Sequence, residues 1–418
     1  RHDVTSRFKD HWSTFPPFAL AWKAKEETFL KDVNWLSDLK LRLGYGMTGQ
    51  QDGGGVGDYS YFPIYKITTG TNGFYPIMGN GTFYTPVEYN ENLKWETTTT
   101  YNAGLDFGFM KNRLTGSVDW YYRETTDLLN MSKVPAGSNF RNQVISNIGS
   151  LKNYGIEVAL DWKAISTKDW YWTIGYNFTW NKNEITDLTG GSDPNFIIPT
   201  GGISSGTGNQ VQAHAVGHPA SSFYVYQQVY DQAGKPIEGL VVDRNGDGTI
   251  SEADKYFYKS PMAPVTMGLT SRLEYKNWDL GFSLRASFDN YVFNDFEAGA
   301  SNCSPSAIFQ IIGGGNFLAN RPTIVLDKNW QSWDWVLSDH FVHNASFLKC
   351  DNITLGYSFQ DLFKSAGYKG LAGRVYATAS NVFTITNYNG IDPEVYGGID
   401  NSVYPRPFSL IIGLNLNF

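Results

Sequence analysis

Eleven stretches of this chain alternate apolar and polar residues, and the linkers between them alternate in length. In Trp170 to Asn183, residues Trp170, Trp172, Ile174, Tyr176, Phe178 and Trp180 fall on one face. Thr173, Gly175, Asn177, Thr179, Asn181 and Asn183 fall on the other. Successive side chains of a strand point to opposite faces, so a period of two makes one apolar and one polar side. The apolar side is aromatic at both ends, as expected where a strand crosses two membrane–water interfaces. Such patterning predicts an all-β fold, an antiparallel transmembrane β-barrel.

The same alternation recurs along the chain. It is weak over Phe15 to Lys23 and Leu371 to Ser380, and clear in Leu39–Tyr45, Tyr101–Phe109, Leu114–Arg123, Tyr154–Trp162, Val265–Tyr275, Trp278–Phe288 and Ile353–Phe359. It is cleanest at the end, where Phe408, Leu410, Ile412, Leu414, Leu416 and Phe418 share a face. Short linkers are expected near 25–36, 110–112, 165–169, 276–277 and 360–370. Long ones cover about 49–96, 127–149, 187–263, 290–343 and 381–407. Outer-membrane barrels have short periplasmic turns and long extracellular loops. The last strand is therefore expected to end in the periplasm, with every long loop outside the cell.

Composition agrees without deciding. The 418 residues are 16% aromatic with 43 Gly, as suits aromatic girdles and many turns. Mean hydropathy is −0.33, compatible with a barrel because only alternate strand residues meet lipid. No apolar run reaches the ~20 residues of a transmembrane helix. Net charge is −7 and no basic stripe marks a nucleic-acid partner. Cys303 and Cys350 lie far apart; a disulfide and two free thiols are both open. The odd strand count conflicts with the even number of one-chain bacterial barrels. The chain starts at Arg1 with no signal peptide. Residues 1–418 are therefore expected to be the C-terminal portion of a longer barrel, with upstream strands elsewhere.

Several stretches carry a family resemblance. They are Asn34–Arg42, Gly44–Gln50, Leu93-Lys94-Trp95-Glu96, Asn153–Glu157, Asp243–Gly248, Asn352–Tyr357, Asn381-Val382-Phe383 and Asp392-Pro393-Glu394-Val395. In order and spacing the chain resembles SusC/RagA-type TonB-dependent outer-membrane transporters. The resemblance implies about the C-terminal half of a 22-stranded barrel with an N-terminal plug. It also implies active import of oligosaccharides, or of peptides, at the outer membrane of a Gram-negative, Bacteroidetes-like cell. The implied partners are a SusD-like surface lipoprotein at the mouth, the TonB complex acting on the plug, and outer-membrane lipid and LPS. No enzymatic activity is expected.

One motif carries metal chemistry. Asp243-Arg244-Asn245-Gly246-Asp247-Gly248-Thr249-Ile250-Ser251-Glu252-Ala253-Asp254 follows the EF-hand loop, with oxygen ligands at positions 1, 3 and 5, Gly at 6 and a carboxylate at 12. Asp243, Asn245, Asp247, the Thr249 carbonyl and Asp254 would supply hard oxygens to Ca²⁺, stiffening an extracellular loop. Position 12 is Asp rather than the usual Glu, and a metal-free hydrogen-bonded turn is the competing reading. For substrate, loop aromatics that stack on sugars are expected: Trp330, Trp333 and Trp335, with Tyr59 and Tyr61. The alternative is that they pack loops or meet the lipoprotein. Asp106, Asp119, Arg123, Arg272 and Arg285 are expected to line the passage or touch the plug.

Other signals are weaker. Gly202-Ile203-Ser204-Ser205-Gly206 matches a hydrolase nucleophile elbow but lies in a Gly/Ser/Thr run, where the strand and helix that motif needs are not expected. His214 and His218 are separated by Gly217 and followed by Pro219, against a helix that would align them for a metal. Competing functions are a passive porin and a secreted glycan-binding β-protein or adhesin. The latter should have polar outward faces, whereas these carry Leu, Phe, Tyr and Trp.

Overall fold

A computed structural model describes residues 7–51, 55–68, 83–191, 193–205, 208–301, 334–360, 372–401 and 404–417. Eleven long strands form one antiparallel sheet: β1 (Pro17–Lys23), β2 (Leu36–Gln50), β3 (Glu96–Phe109), β4 (Leu114–Thr126), β5 (Ser150–Ser166), β6 (Trp170–Asp187), β7 (Val265–Tyr275), β8 (Trp278–Phe288), β9 (Phe347–Phe359), β10 (Ala372–Thr386) and β11 (Ser409–Asn417). Each pairs with its sequence neighbours, giving an up-and-down arc that is not closed, with β1 and β11 as edges.

Register makes the faces continuous. Leu41 on β2 aligns with Leu105, Val118, Val158, Phe178 and Met267 on β3 to β7. Four residues toward the long-loop end, Tyr45, Tyr101, Tyr122 and Tyr154 align in the same way. Their rings make a ladder with centroids 5.3, 6.4 and 6.5 Å apart, extended by Trp180 at 6.0 Å. Aromatic rings prefer such offset and tilted contacts, and their amphipathic bodies suit the interface. Leu41, Leu43, Leu105, Val118 and Trp120 are exposed, as lipid-facing residues must be. The short turns use left-handed backbone, with Met110, Lys111 and Asn112 at φ 51, 56 and 58.

The long linkers are not bare loops. Ile197–Gly202, Gln210–Ala215, Ser222–Val225 and Tyr256–Phe257 form a four-stranded sheet, and Tyr291–Phe293 pairs with Val342–Asn344. Their apolar residues make a separate core in which Phe223, Phe293, Phe341, Val211, Val225 and Val336 are fully buried. At about 1.5–3 kcal/mol for each large side chain removed from water, this core makes the extracellular part a folded cap.

Candidate functional site: the lumenal wall and the loop cap

The polar face of the sheet is built from ion pairs. Arg42 spans two neighbouring strands, with Nε 2.9 and 3.0 Å from the Asp106 carboxylate and a terminal nitrogen 2.8 Å from Asp119. Gly104 lies beneath this cluster, and a Cβ there would overlap the Asp119 carboxylate. Nearer the short turns, Arg374 clamps Asp279 at 2.9 and 2.5 Å. Arg123 lies over the Tyr121 ring and Arg272 pairs with Glu274 at 2.8 Å. The expected lumenal residues therefore share one face, mostly tied to neighbours on that wall.

The largest charge cluster fixes the last long loop to the wall. Arg285 on β8 binds Asp351 at 2.8 Å and grips Glu394 with both terminal nitrogens, one of them at 2.8 Å. Lys349 on β9, almost fully buried, reaches Asp392 at 2.6 Å and Glu394 at 3.1 Å. Arg406 closes the network at 3.3 Å from Asp392 and 3.0 Å from Glu394. Burial opposes ionisation of Glu394, but Arg285 and Lys349 prevail and hold its carboxyl at about 2.

The same loop is tied upward to the cap. Tyr388 donates to Asp400 at 2.7 Å, Asp400 N–H donates to the Phe293 carbonyl at 2.9 Å, and the Gln212 amide donates to the Gly397 carbonyl at 2.7 Å. The 3₁₀ turn Tyr396–Gly398 has both glycines at φ 77. At Gly398 a Cβ would overlap Pro261, so only glycine allows this turn to press against the cap. Tyr396 itself is fully exposed. Beneath it lies a cavity of about 460 Å³, lined by Thr266, Arg285, Asn290, Phe347, Glu394 and Arg406 among others. The sequence pointed to Arg285 but not to Tyr396, Lys349, Glu394 or Arg406. The available signal was Asp392-Pro393-Glu394-Val395, four residues with two carboxylates in a long loop.

The EF-hand-like loop closes on itself. Asp243 accepts N–H bonds from Gly246 at 2.7 Å and Gly248 at 2.8 Å, with these glycines at φ 72 and 80. Asp247 accepts from Thr249 N–H at 2.7 Å and from the Asn245 amide at 2.9 Å. Asp254, fully buried, accepts from the Ser251, Arg244 and Asn245 N–H groups, Ser251's foremost, which hold its carboxyl below the usual range. Ser251 and Asp254 form a capping box on a single 3₁₀ turn, Glu252–Asp254, in place of EF-hand helices. Among the described residues, no three His, Cys, Asp or Glu side chains converge as a metal centre. What the loop offers a hard cation is two outer carboxylates, Asp243 and Asp247, with the Asn245 amide and the Thr249 carbonyl.

This loop is braced against the cap. Arg244 lies 4.5 Å over the Tyr256 ring, and Tyr256 donates to Asp339 at 2.6 Å. Burial raises the Asp339 carboxyl despite that bond. Of the expected aromatics, Tyr59 is exposed beside a cavity of about 330 Å³ with Tyr89, Glu88 and Lys66, and Tyr61 packs edge-on against Phe62. Trp330 and Trp333 lie outside the described residues, as do Cys303 and Phe418. Trp335 lies in the 3₁₀ turn Asp334–Leu337. Cys350 is a buried free thiol.

The elbow-like serines serve structure. Ser204 donates through Oγ to Asp295 at 2.7 Å, and Ser205 does so at 3.1 Å. His214, whose pKa burial lowers, accepts the Ser221 N–H at 3.1 Å, while His218 stacks on Phe257 at 4.0 Å.

Comparison with known proteins agrees with this architecture. The family described as "TonB dependent receptor-like, beta-barrel" matches residues 1–213. The chain is 54% identical to the TonB-dependent receptor SusC of Bacteroides thetaiotaomicron, covering all of this chain and 41% of that protein. It is 31% identical to the TonB-dependent receptor P3 of Formosa agariphila, covering all of this chain and 43% of that protein. The RagAB peptide importer in its closed-closed state superposes with a TM-score of 0.77 at 25% identity, over 99% of this chain and 44% of that one. The chain thus spans less than half the length of these relatives. It belongs to the TonB-dependent receptor β-barrel family of the bacterial outer membrane, in its SusC/RagA branch.

Proposed function

We propose that this chain is the C-terminal portion of an energy-coupled importer that carries oligosaccharides across the outer membrane. The observation that carries this reading is 54% identity to the SusC receptor along the whole chain. A SusD-like lipoprotein would cover the mouth beside the loop cap, and TonB would act on the plug of the full-length receptor. The girdle would sit in outer-membrane lipid, LPS included. Peptides are the second cargo, supported by the superposition on the RagAB peptide importer. Trp330, Trp333, Trp335, Tyr59 and Tyr61 are offered as sugar-stacking residues.

Uptake of radiolabelled oligosaccharides by cells carrying the full-length receptor tests the proposal. Accumulation should fall to background when TonB is deleted. Equal uptake without TonB would instead identify a passive porin.

Ca²⁺ is proposed for the Asp243–Asp254 loop, with Asp243, Asn245, Asp247 and the Thr249 carbonyl facing the ion and Asp254 holding the backbone around it. The support is the ligand spacing, and extracellular Ca²⁺ modules bind with Kd on the order of 10⁻⁴–10⁻³ M. Calorimetric titration of EGTA-treated receptor with calcium chloride should show one site that disappears in Asp243→Ala. Identical heats for the two proteins would reject it.

A further inference from the structure

The turn at Tyr396 pairs a fully exposed aromatic ring with an unusually well-anchored backbone. An isolated exposed tyrosine is ordinary on a protein surface. This one is held from three sides: Gln212 fixes the next carbonyl, Gly398 abuts Pro261, and Glu394 is clamped by Arg285, Lys349 and Arg406. Among the described residues the ring has no aromatic or hydrogen-bonding partner. It lines the cavity of about 460 Å³ that opens beside Arg406, Glu394, Asn290 and Phe347. An aromatic ring carried on an anchored backbone beside a fixed donor and acceptor is partly preorganised for a ligand, because the backbone and the polar partners lose little entropy on binding.

We infer that Tyr396, Arg406 and Glu394 form a lumenal subsite for a neutral oligosaccharide. The inference rests on the importer reading above. The C–H face of a sugar ring would stack on Tyr396. Adjacent hydroxyls would accept from the half-exposed Arg406 guanidinium and donate to Glu394. Charge selects against acidic ligands: the cations Arg285, Lys349 and Arg406 are matched by the carboxylates Asp351, Asp392 and Glu394. No surplus positive charge is left to compensate desolvation of a uronate or a peptide carboxylate. Ring stacking and paired hydrogen bonds do not need such a surplus.

The test uses the full-length receptor with its lipoprotein partner, screened against immobilised neutral gluco-, fructo-, manno- and xylo-oligosaccharides, oligouronates and mixed peptides. Neutral glycans should bind, with affinity about tenfold lower in Tyr396→Ala and within about twofold of wild type in Tyr396→Phe. Unfolding midpoints of both variants equal to that of the unsubstituted receptor check that folding is undisturbed. Unchanged binding in Tyr396→Ala, binding confined to oligouronates or peptides, or no binding in the panel would overturn the subsite. TonB-dependent uptake in intact cells reads the importer separately. Uptake that needs TonB but ignores Tyr396→Ala refutes the subsite alone, and TonB-independent uptake refutes the importer alone.

Discussion

Arg285 and Glu394 are joined by two parallel nitrogen–oxygen contacts across 109 residues of sequence. Arg285 belongs to the lumenal face of β8, and Glu394 to the loop that enters β11. The planar guanidinium matches a carboxylate in this two-pronged geometry, which fixes orientation as well as distance. Since the same loop also binds the cap through Asp400 and Gly397, wall, loop and cap are mechanically continuous.

Glu394 should make the loop's anchorage weaken in acid over a defined pH window. Its folded pKa, about 2, lies below the ordinary carboxylate range. The stabilisation it contributes is therefore complete above about pH 4.5 and lost as pH falls through about 2. Hydrogen-exchange protection of amides in 388–401 should stay level from pH 7 to about pH 4.5 and fall progressively from there to about pH 2. Protection unchanged across that interval would show that Glu394 is not held by its cations.

Lys349 and Arg406 share the same carboxylates but differ in exposure, at 7% and 47% of their side chains. Removing a buried partner strands a charge and costs about 3–5 kcal/mol, whereas an exposed pair contributes about 0–1 kcal/mol. Lys349→Met should therefore lower the unfolding midpoint of the full-length receptor clearly, and Arg406→Met hardly at all. Equal midpoints for both variants would contradict the burial argument.

Gly397 and Gly398 have the same φ but different surroundings. Gly397→Ala meets open space and should cost about 1 kcal/mol from backbone strain alone. Gly398→Ala adds a clash with Pro261 and should also loosen the loop, seen as faster proteolysis within 387–407. Indistinguishable digestion rates would mean the turn does not press on the cap.

The barrel was legible because its strands are long. An alternation repeated over nine to eighteen residues, as in β6 and β11, outweighs local ambiguity, and even the weak Phe15–Lys23 pattern corresponds to β1. Strand ends were less legible: β10 continues to Thr386, beyond the expected end at Ser380. In sequence the cap looks like long loops because its strands are two to six residues long, too short for a period to emerge. The Asp243–Asp254 turn was visible because its polar spacing is local. The Arg285–Glu394–Lys349 network was not, since it joins residues 45 to 109 positions apart that share a region only after the sheet forms.

The central claim is that neighbouring residues of one strand face lipid and lumen in alternation. Fluorescence quenching at single cysteines tests it directly, using full-length receptor in bilayers labelled at Val118 or at Ser117 on β4. The account predicts that brominated lipid quenches the label at position 118, and that a water-soluble quencher reaches position 117. Equal quenching by the aqueous reagent at both positions would contradict a membrane-spanning wall.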